Sequence, residues 1–162
     1  MRKELREIIK QLEHVDIQLL HRLYLFRCLT IRQVFRELYQ AQYESLLVFE
    51  DERLATLIKL GVVDKVEFNL DNHALFLTTV GVDIVRQAVQ LPTEIFNPDT
   101  KTFKRGYYRA GELRLSPRLV NHQVHLNQFV LEFMALAKDH QYTWNYYDEK
   151  PVSQYFTIRP DG

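Results

Sequence analysis

The sequence predicts an α+β fold, with a mainly helical unit carrying a hairpin followed by a long helix and two more strands. Three observations predict it. Apolar residues recur at helical spacing from Leu5 to Leu60. Gly61 then introduces two short β-rich runs separated by a polar turn, and a second strong helical period after residue 118 leads into aromatic-rich runs of strand character.

The first element is residues 3–13, where Leu5, Ile8, Ile9 and Leu12 share one helix face. His14-Val15-Asp16 is a weak break, and Asp16 is able to cap the next helix. From Ile17 the period resumes through Leu19, Leu20, Leu23, Tyr24 and Phe26; one long helix or two fit this pattern, with the break placed near His14. Thr30 is the N-cap of the next, short helix, which carries Ile31, Val34, Phe35 and Leu38 on one face and ends near Tyr39. Gln40-Ala41-Gln42-Tyr43 is the turn.

A helix from about Glu44 to Leu60 comes next, with Leu47, Leu54, Leu57, Ile58 and Leu60 as its buried side. Gly61 stops it, because positive φ is cheap only for glycine. Val62–Phe68 is a strand, Asn69–His73 turn chemistry, and Ala74–Thr78 the return strand. A threonine cap and Gly81 open a further helix carrying Val82, Val85, Ala88 and Val89, ended by Leu91-Pro92. Helix, short helix, turn, helix and two strands is the order of a winged helix-turn-helix, and residues 1–91 are assigned to one such domain.

Residues 92–118 have a different texture, with spaced prolines and glycines and no lasting apolar period. They read as a basic linker or loop with short strands. Lys101, Lys104, Arg105 and Arg109 alternate with Phe103, Tyr107 and Tyr108, a mixture suited to neutralising phosphates and stacking on bases.

Residues 119–162 read as a helix and two strands. Leu126, Phe129, Val130, Phe133 and Ala137 form an apolar stripe with His122 on its line, while Asn121, His125, Gln128 and Glu132 form a polar one. His125 and Glu132 are two turns apart, which is not the spacing of a zinc-protease helix. Strands are expected at Tyr142–Tyr147 and Gln154–Ile158, before Arg159-Pro160-Asp161-Gly162. A helix and strands ending in Pro-Asp look like the opening of a PD-(D/E)xK nuclease fold, in which a later Glu-x-Lys strand completes a divalent-metal site. With no such strand after Gly162, the half reads as an incomplete restriction-endonuclease-like α/β region, with Glu132 and Asp161 as its possible vestigial ligands. No cofactor is expected unless a longer form completes that site with a divalent metal.

Composition narrows the classes. No apolar run approaches the roughly 18 residues of a membrane span, and the charged start leads into an amphipathic pattern rather than a signal peptide. The single cysteine, Cys28, rules out a disulfide framework; it reads as a small core residue, and a cytoplasmic location is expected. The 21 basic and 21 acidic side chains cancel, but unevenly. Residues 1–40 hold eight basic against five acidic, and residues 41–90 four against eight. Lys101–Arg118 holds six basic residues and the single acid Glu112. Local fields of this kind, rather than net charge, steer association with phosphates.

Together these pieces resemble the replication-relaxation family of bacterial plasmid and mobile-element proteins. Phe26-Arg27-Cys28-Leu29-Thr30-Ile31-Arg32-Gln33 is similar to that family's Arg-x-Leu-Thr-x-x-Gln approach to the second helix. Leu77-Thr78-Thr79-Val80-Gly81 is similar to its exit from the wing, His122–Asn127 to its His-x-x-x-x-Asn helix, and Arg159-Pro160-Asp161 to its later Pro-Asp. The resemblance implies a DNA-binding winged helix tied to replication or its control, followed by a nuclease-like half. The acidic third helix and the missing end of the second half depart from it.

The leading expectation is therefore a protein that binds double-stranded DNA through Arg32, Arg36, Arg53, Thr56 and Lys59, with Lys101, Lys104, Arg105 and Arg109 on flanking phosphates. If Glu44–Glu52 is a loop or separate turn, Arg53, Thr56 and Lys59 remain as the groove-facing set. Two other readings stay open: a truncated metal-dependent nuclease, and a winged helix used for protein contact or homodimerisation through its acidic helix. No membrane partner is expected.

Overall fold

A computed structural model describes residues 3–69 and 72–139, and the chain is of the α+β class. Helix α1 (Lys3–Ile9) and helix α2 (His14–Phe26) are separate, so the break precedes His14 instead of falling on it. Asp16 does not begin α2 but sits in its first turn and accepts from the Glu13 amide at 2.6 Å. The two-residue strand β1 (Leu29–Thr30) leads into helix α3, regular over Ile31–Val34 and π-wound over Phe35–Tyr39. Thr30 caps α3 as expected. Its hydroxyl accepts from the Gln33 amide at 3.1 Å, and the Gln33 side chain accepts from the Thr30 amide at 2.9 Å.

Helix α4 is regular over Leu46–Phe49, π-wound over Glu50–Leu54 and regular again over Ala55–Lys59. Ser45 caps it through the Val48 amide at 3.3 Å, so Glu44 lies outside it. The π-wound segment takes more residues per turn than an α-helix. Phe49 and Leu54, five apart, therefore face the core together, with Leu57 one turn on. The buried side anticipated from a uniform period is corrected accordingly: Leu47 is 72% exposed and Ile58 37%.

Strands β2 (Val63–Asn69) and β3 (Asn72–Leu77) form an antiparallel hairpin, longer at its tip than the sequence suggested. β1 joins β3 through Leu29–Leu75 and Thr30–Ala74, giving a three-stranded sheet in the order β1-β3-β2. Gly61 turns the chain from α4 into β2 at φ 68°. Helix α5 (Thr79–Ala88) starts at the Thr78 cap, whose hydroxyl accepts from the Gly81 amide at 3.1 Å. A Cβ on Gly81 would stand 2.2 Å from the Val62 carbonyl oxygen, so only glycine lets α5 approach the sheet this closely.

The segment read as a basic linker or loop with short strands contains two of them and a short helix. Strands β4 (Glu94–Asn97) and β5 (Thr102–Arg105) pair as a hairpin, and a short helix α6 (Ala110–Leu113) comes after them. Leu113 is buried in the main core, and the Tyr108 amide donates to the Tyr24 hydroxyl at 2.9 Å.

Helix α7 (Pro117–Asp139) lies against the sheet unit. Val130 and Leu131 enter the same core as Leu19, Leu23, Val34 and Leu57, while Val120 and Val124 pack with Cys28, Ala74 and Phe76. The expected boundary at residue 119 is thus not a break in packing among the described residues. Cys28 is fully buried, as a small core residue. Of the apolar stripe read on this helix, Val130 is buried but Leu126, Phe129 and Phe133 are exposed; the inward face is Val120, Gln123, Val124, Asn127, Val130 and Leu131. The strands expected at Tyr142–Tyr147 and Gln154–Ile158 lie outside the described residues.

Candidate nucleic-acid interface

The candidate DNA-contacting side chains divide into exposed and sequestered groups. Arg32 and Arg36 are one turn apart on α3 and both exposed. With Thr30, Gln33 and Gln128 they line a small cavity of about 70 Å³. Its floor is tied across the fold: the Gln33 side-chain amide donates to the Val124 carbonyl and to the Gln128 side-chain oxygen, both at 3.1 Å. Arg36 has one distant carboxylate, Glu37 at 3.8 Å. Lys59, at the end of α4, is exposed.

Arg53 is the clearest correction to the expected set. It does not face a groove: its side chain is 12% exposed and turned into the core. Its guanidinium donates to both carboxylate oxygens of Asp16, which is fully buried, and to the Gln11 carbonyl at 3.1 Å. Tyr39 donates its hydroxyl to the same carboxylate at 2.7 Å. The Asp16 bond, ahead of the opposing effect of burial, holds Arg53 above its ordinary pKa. Burial, then the Asp16 charge, pushes the Tyr39 hydroxyl far up, so it remains a donor. A buried carboxylate needs such partners, and this cluster clamps α2, α3 and α4 together. Thr56 is half-buried and its hydroxyl donates back to the Glu52 carbonyl at 2.7 Å. The outward face of α4 presents Leu47, Asp51, Glu52, Ala55, Ile58 and Lys59.

The basic segment divides likewise. Arg105 is paired in two-pronged fashion with Glu112, at 2.7 and 2.8 Å, and its Nε donates to the Tyr107 carbonyl. Glu112 also accepts from the Arg109 amide at 2.7 Å, so Arg105 braces the loop and is only partly available. Lys101 and the Arg109 side chain are exposed, and Lys104 is half-exposed. Tyr107 is covered by the Arg86 guanidinium, 3.9 Å from the ring centroid, and is not an open stacking surface. The open aromatics are instead Phe96 and Phe103, paired across β4 and β5 at 5.4 Å and exposed by 54% and 69%. The cross-strand position of Phe96 was not recognised in the sequence because the short strands expected there were given no bounds or pairing.

Glu132 is exposed and accepts from the Gln128 side chain at 2.6 Å. Among the described residues no three His, Cys, Asp or Glu side chains gather to hold a metal, and Asp161 lies outside them. No helix among the described residues is long and apolar enough to cross a membrane.

The motif residues behind the family resemblance have structural work. Asn127 is fully buried, and its amide donates to the Phe26 and Cys28 carbonyls at 3.2 and 2.6 Å, while its oxygen accepts from Gln123. With Gln33 it fastens α7 to the turn between α2 and α3. No protein-family model, curated protein or solved structure matches the chain.

Proposed function

We propose that this protein binds double-stranded DNA as a winged-helix protein, acting in replication or transcriptional control of a plasmid, phage or other mobile element. The observation that supports the fold reading is the strand order β1-β3-β2, with β1 between α2 and α3 and the β2–β3 hairpin directly after α4. In a winged helix the hairpin is the wing and the two helices before it form the helix-turn-helix.

The cation disposition refines the reading. Arg32 and Arg36 on α3 form the principal phosphate-contacting pair, with Lys59 at the end of α4 and Lys101, Lys104 and Arg109 on flanking backbone. Arg53 is a structural clamp in this scheme. Contacts of this composition give affinity for the phosphate backbone more than for base sequence, because no Asn, Gln or Arg projects from the outward face of α4. Fluorescence anisotropy with duplex DNA over a series of salt concentrations tests it. Binding should weaken steeply with salt, each neutralised phosphate adding about 0.9 to the log–log slope. Absence of binding to any duplex at low salt would sink the proposal.

A second reading has one specific observation behind it: the outward face of α4 combines exposed Leu47 and Ile58 with Asp51 and Glu52. That surface suits a basic, partly apolar protein partner better than a groove of phosphates. Substituting Leu47 by Glu separates the two, leaving DNA affinity unchanged if α4 contacts protein alone.

A further inference from the structure

The exposed apolar residues of α7, with His122 on their line, do not lie at random. Leu119, His122, Leu126, Phe129, Phe133 and Leu136 succeed one another at alternating intervals of three and four, the two seam positions of a heptad repeat. Leu119 is 54% exposed, Phe129 66% and Leu136 55%, and the Phe129 and Phe133 rings stack at 6.5 Å. The core-facing residues Val120, Val124, Asn127 and Leu131 occupy a different side of the helix, so among the described residues the seam is open to a neighbouring helix. A stripe this narrow is the shape of a two-helix contact rather than of a sheet-facing surface.

We propose that this seam is a homodimer interface in which α7 pairs antiparallel with α7 of a second copy. The flanking charges select the second copy and the direction. Along the open edge beside the seam stand Arg118, His125, Glu132 and Asp139, cationic or ionisable toward the start and acidic toward the end. With the Leu126 layer set against the second copy's Phe129, Leu119 meets Leu136 and His122 meets Phe133. The same register sets Arg118 against Asp139 and His125 against Glu132, each pair occurring twice about the two-fold axis. Parallel pairing would instead set these positions against residues five further along the second copy, Gln123, Val130 and Ala137, none of them charged, so no such ion pairs would form. His125 already uses Nδ1 on the Asn121 carbonyl at 2.7 Å, leaving Nε2 for the partner. This inference is independent of the DNA reading; if both hold, the dimer presents two winged helices to one duplex.

The test is sedimentation equilibrium of the full chain with cross-linking. A dimer is expected, with Phe129→Glu raising its dissociation constant by about 10-fold or more while leaving the thermal melt unchanged at dilutions where both proteins are monomeric. Arg118→Glu should weaken the dimer, and adding Asp139→Arg to it should restore association. A mixture of Leu119→Cys and Leu136→Cys chains should cross-link with a short bismaleimide. Leu136→Cys alone should not, since the two copies of that position would lie roughly 25 Å apart along the helices. A monomer at every concentration, a melt strongly lowered by Phe129→Glu (the mark of a face covered by the chain itself), or efficient Leu136→Cys self-cross-linking would each overturn the proposal.

Discussion

Helices α3 and α4 adjoin in sequence and pack through Tyr39 and Phe49, whose rings are 4.5 Å apart, yet they place their arginines oppositely. α3 sends Arg32 and Arg36 outward, while α4 sends Arg53 inward to Asp16. The reason is winding as much as composition. The π-wound turn Glu50–Leu54 places Arg53 beside buried Leu54, whereas Asp51 and Glu52 face solvent. A helix in the position expected to read DNA thus spends its only arginine on holding the unit together and keeps Lys59 as its exposed cation, while two exposed arginines stand on its neighbour. On sequence alone both helices share the DNA contact, through Arg32 and Arg36 and through Arg53, Thr56 and Lys59; the structure moves Arg53 from that set into the frame.

The largest expected effect breaks the frame. Asp16→Ala strands the Arg53 charge and removes the acceptor of Tyr39, and it should cost about 3–5 kcal/mol in denaturant unfolding. Arg53→Met strands Asp16 in turn; at a temperature where it is folded, its DNA affinity should match the wild type, which distinguishes a clamp from a contact. A smaller effect is expected at α3. Thr30→Ala removes the cap on the Gln33 amide and should cost about 1 kcal/mol. It should also lower DNA affinity if the start of α3 presents Arg32 to the backbone.

The smallest effect is one of pH, on α2 behind both helices. Burial first, and the Arg22 charge second, hold the His21 pKa below its ordinary 6.5. The fold therefore favours neutral His21. Its contribution is complete above that ordinary value and is lost as pH falls through the lowered one. Unfolding measured between about pH 7.5 and 5 should show the wild type losing more stability than His21→Gln; equal losses would remove His21 from the account.

Local signals were legible in the sequence. Thr30 as a cap, a threonine cap after the hairpin (found at Thr78), Gly61 as a helix stop and Gly81 at the opening of the next helix each depend on neighbours within a few residues or on one backbone contact. Non-local features were not. Arg53 finds Asp16 across 37 positions, and no spacing rule anticipates that. The buried side of α4 was misjudged because a uniform 3.6 period was applied across a π-wound turn. On α7, buried Gln123 and Asn127 look like surface residues, since only the fold brings the Phe26 and Cys28 carbonyls to them. Once polar residues occupy the inner face, leucines and phenylalanines are left on the outer one. The candidate site was legible as a set of cations, not as their division into exposed and buried groups.

The central claim is that Arg32 and Arg36 on α3, and not Arg53 on α4, carry the principal electrostatic contact with DNA. Its most direct test is the salt dependence of duplex binding by the wild type, Arg32→Ala/Arg36→Ala and Arg53→Met, measured side by side by fluorescence anisotropy. The account predicts that the double variant binds more weakly, with the log–log slope reduced by about 1.8 for two lost phosphate contacts, and that Arg53→Met keeps the wild-type slope. An unchanged slope in the double variant, or a slope lost with Arg53, would contradict it.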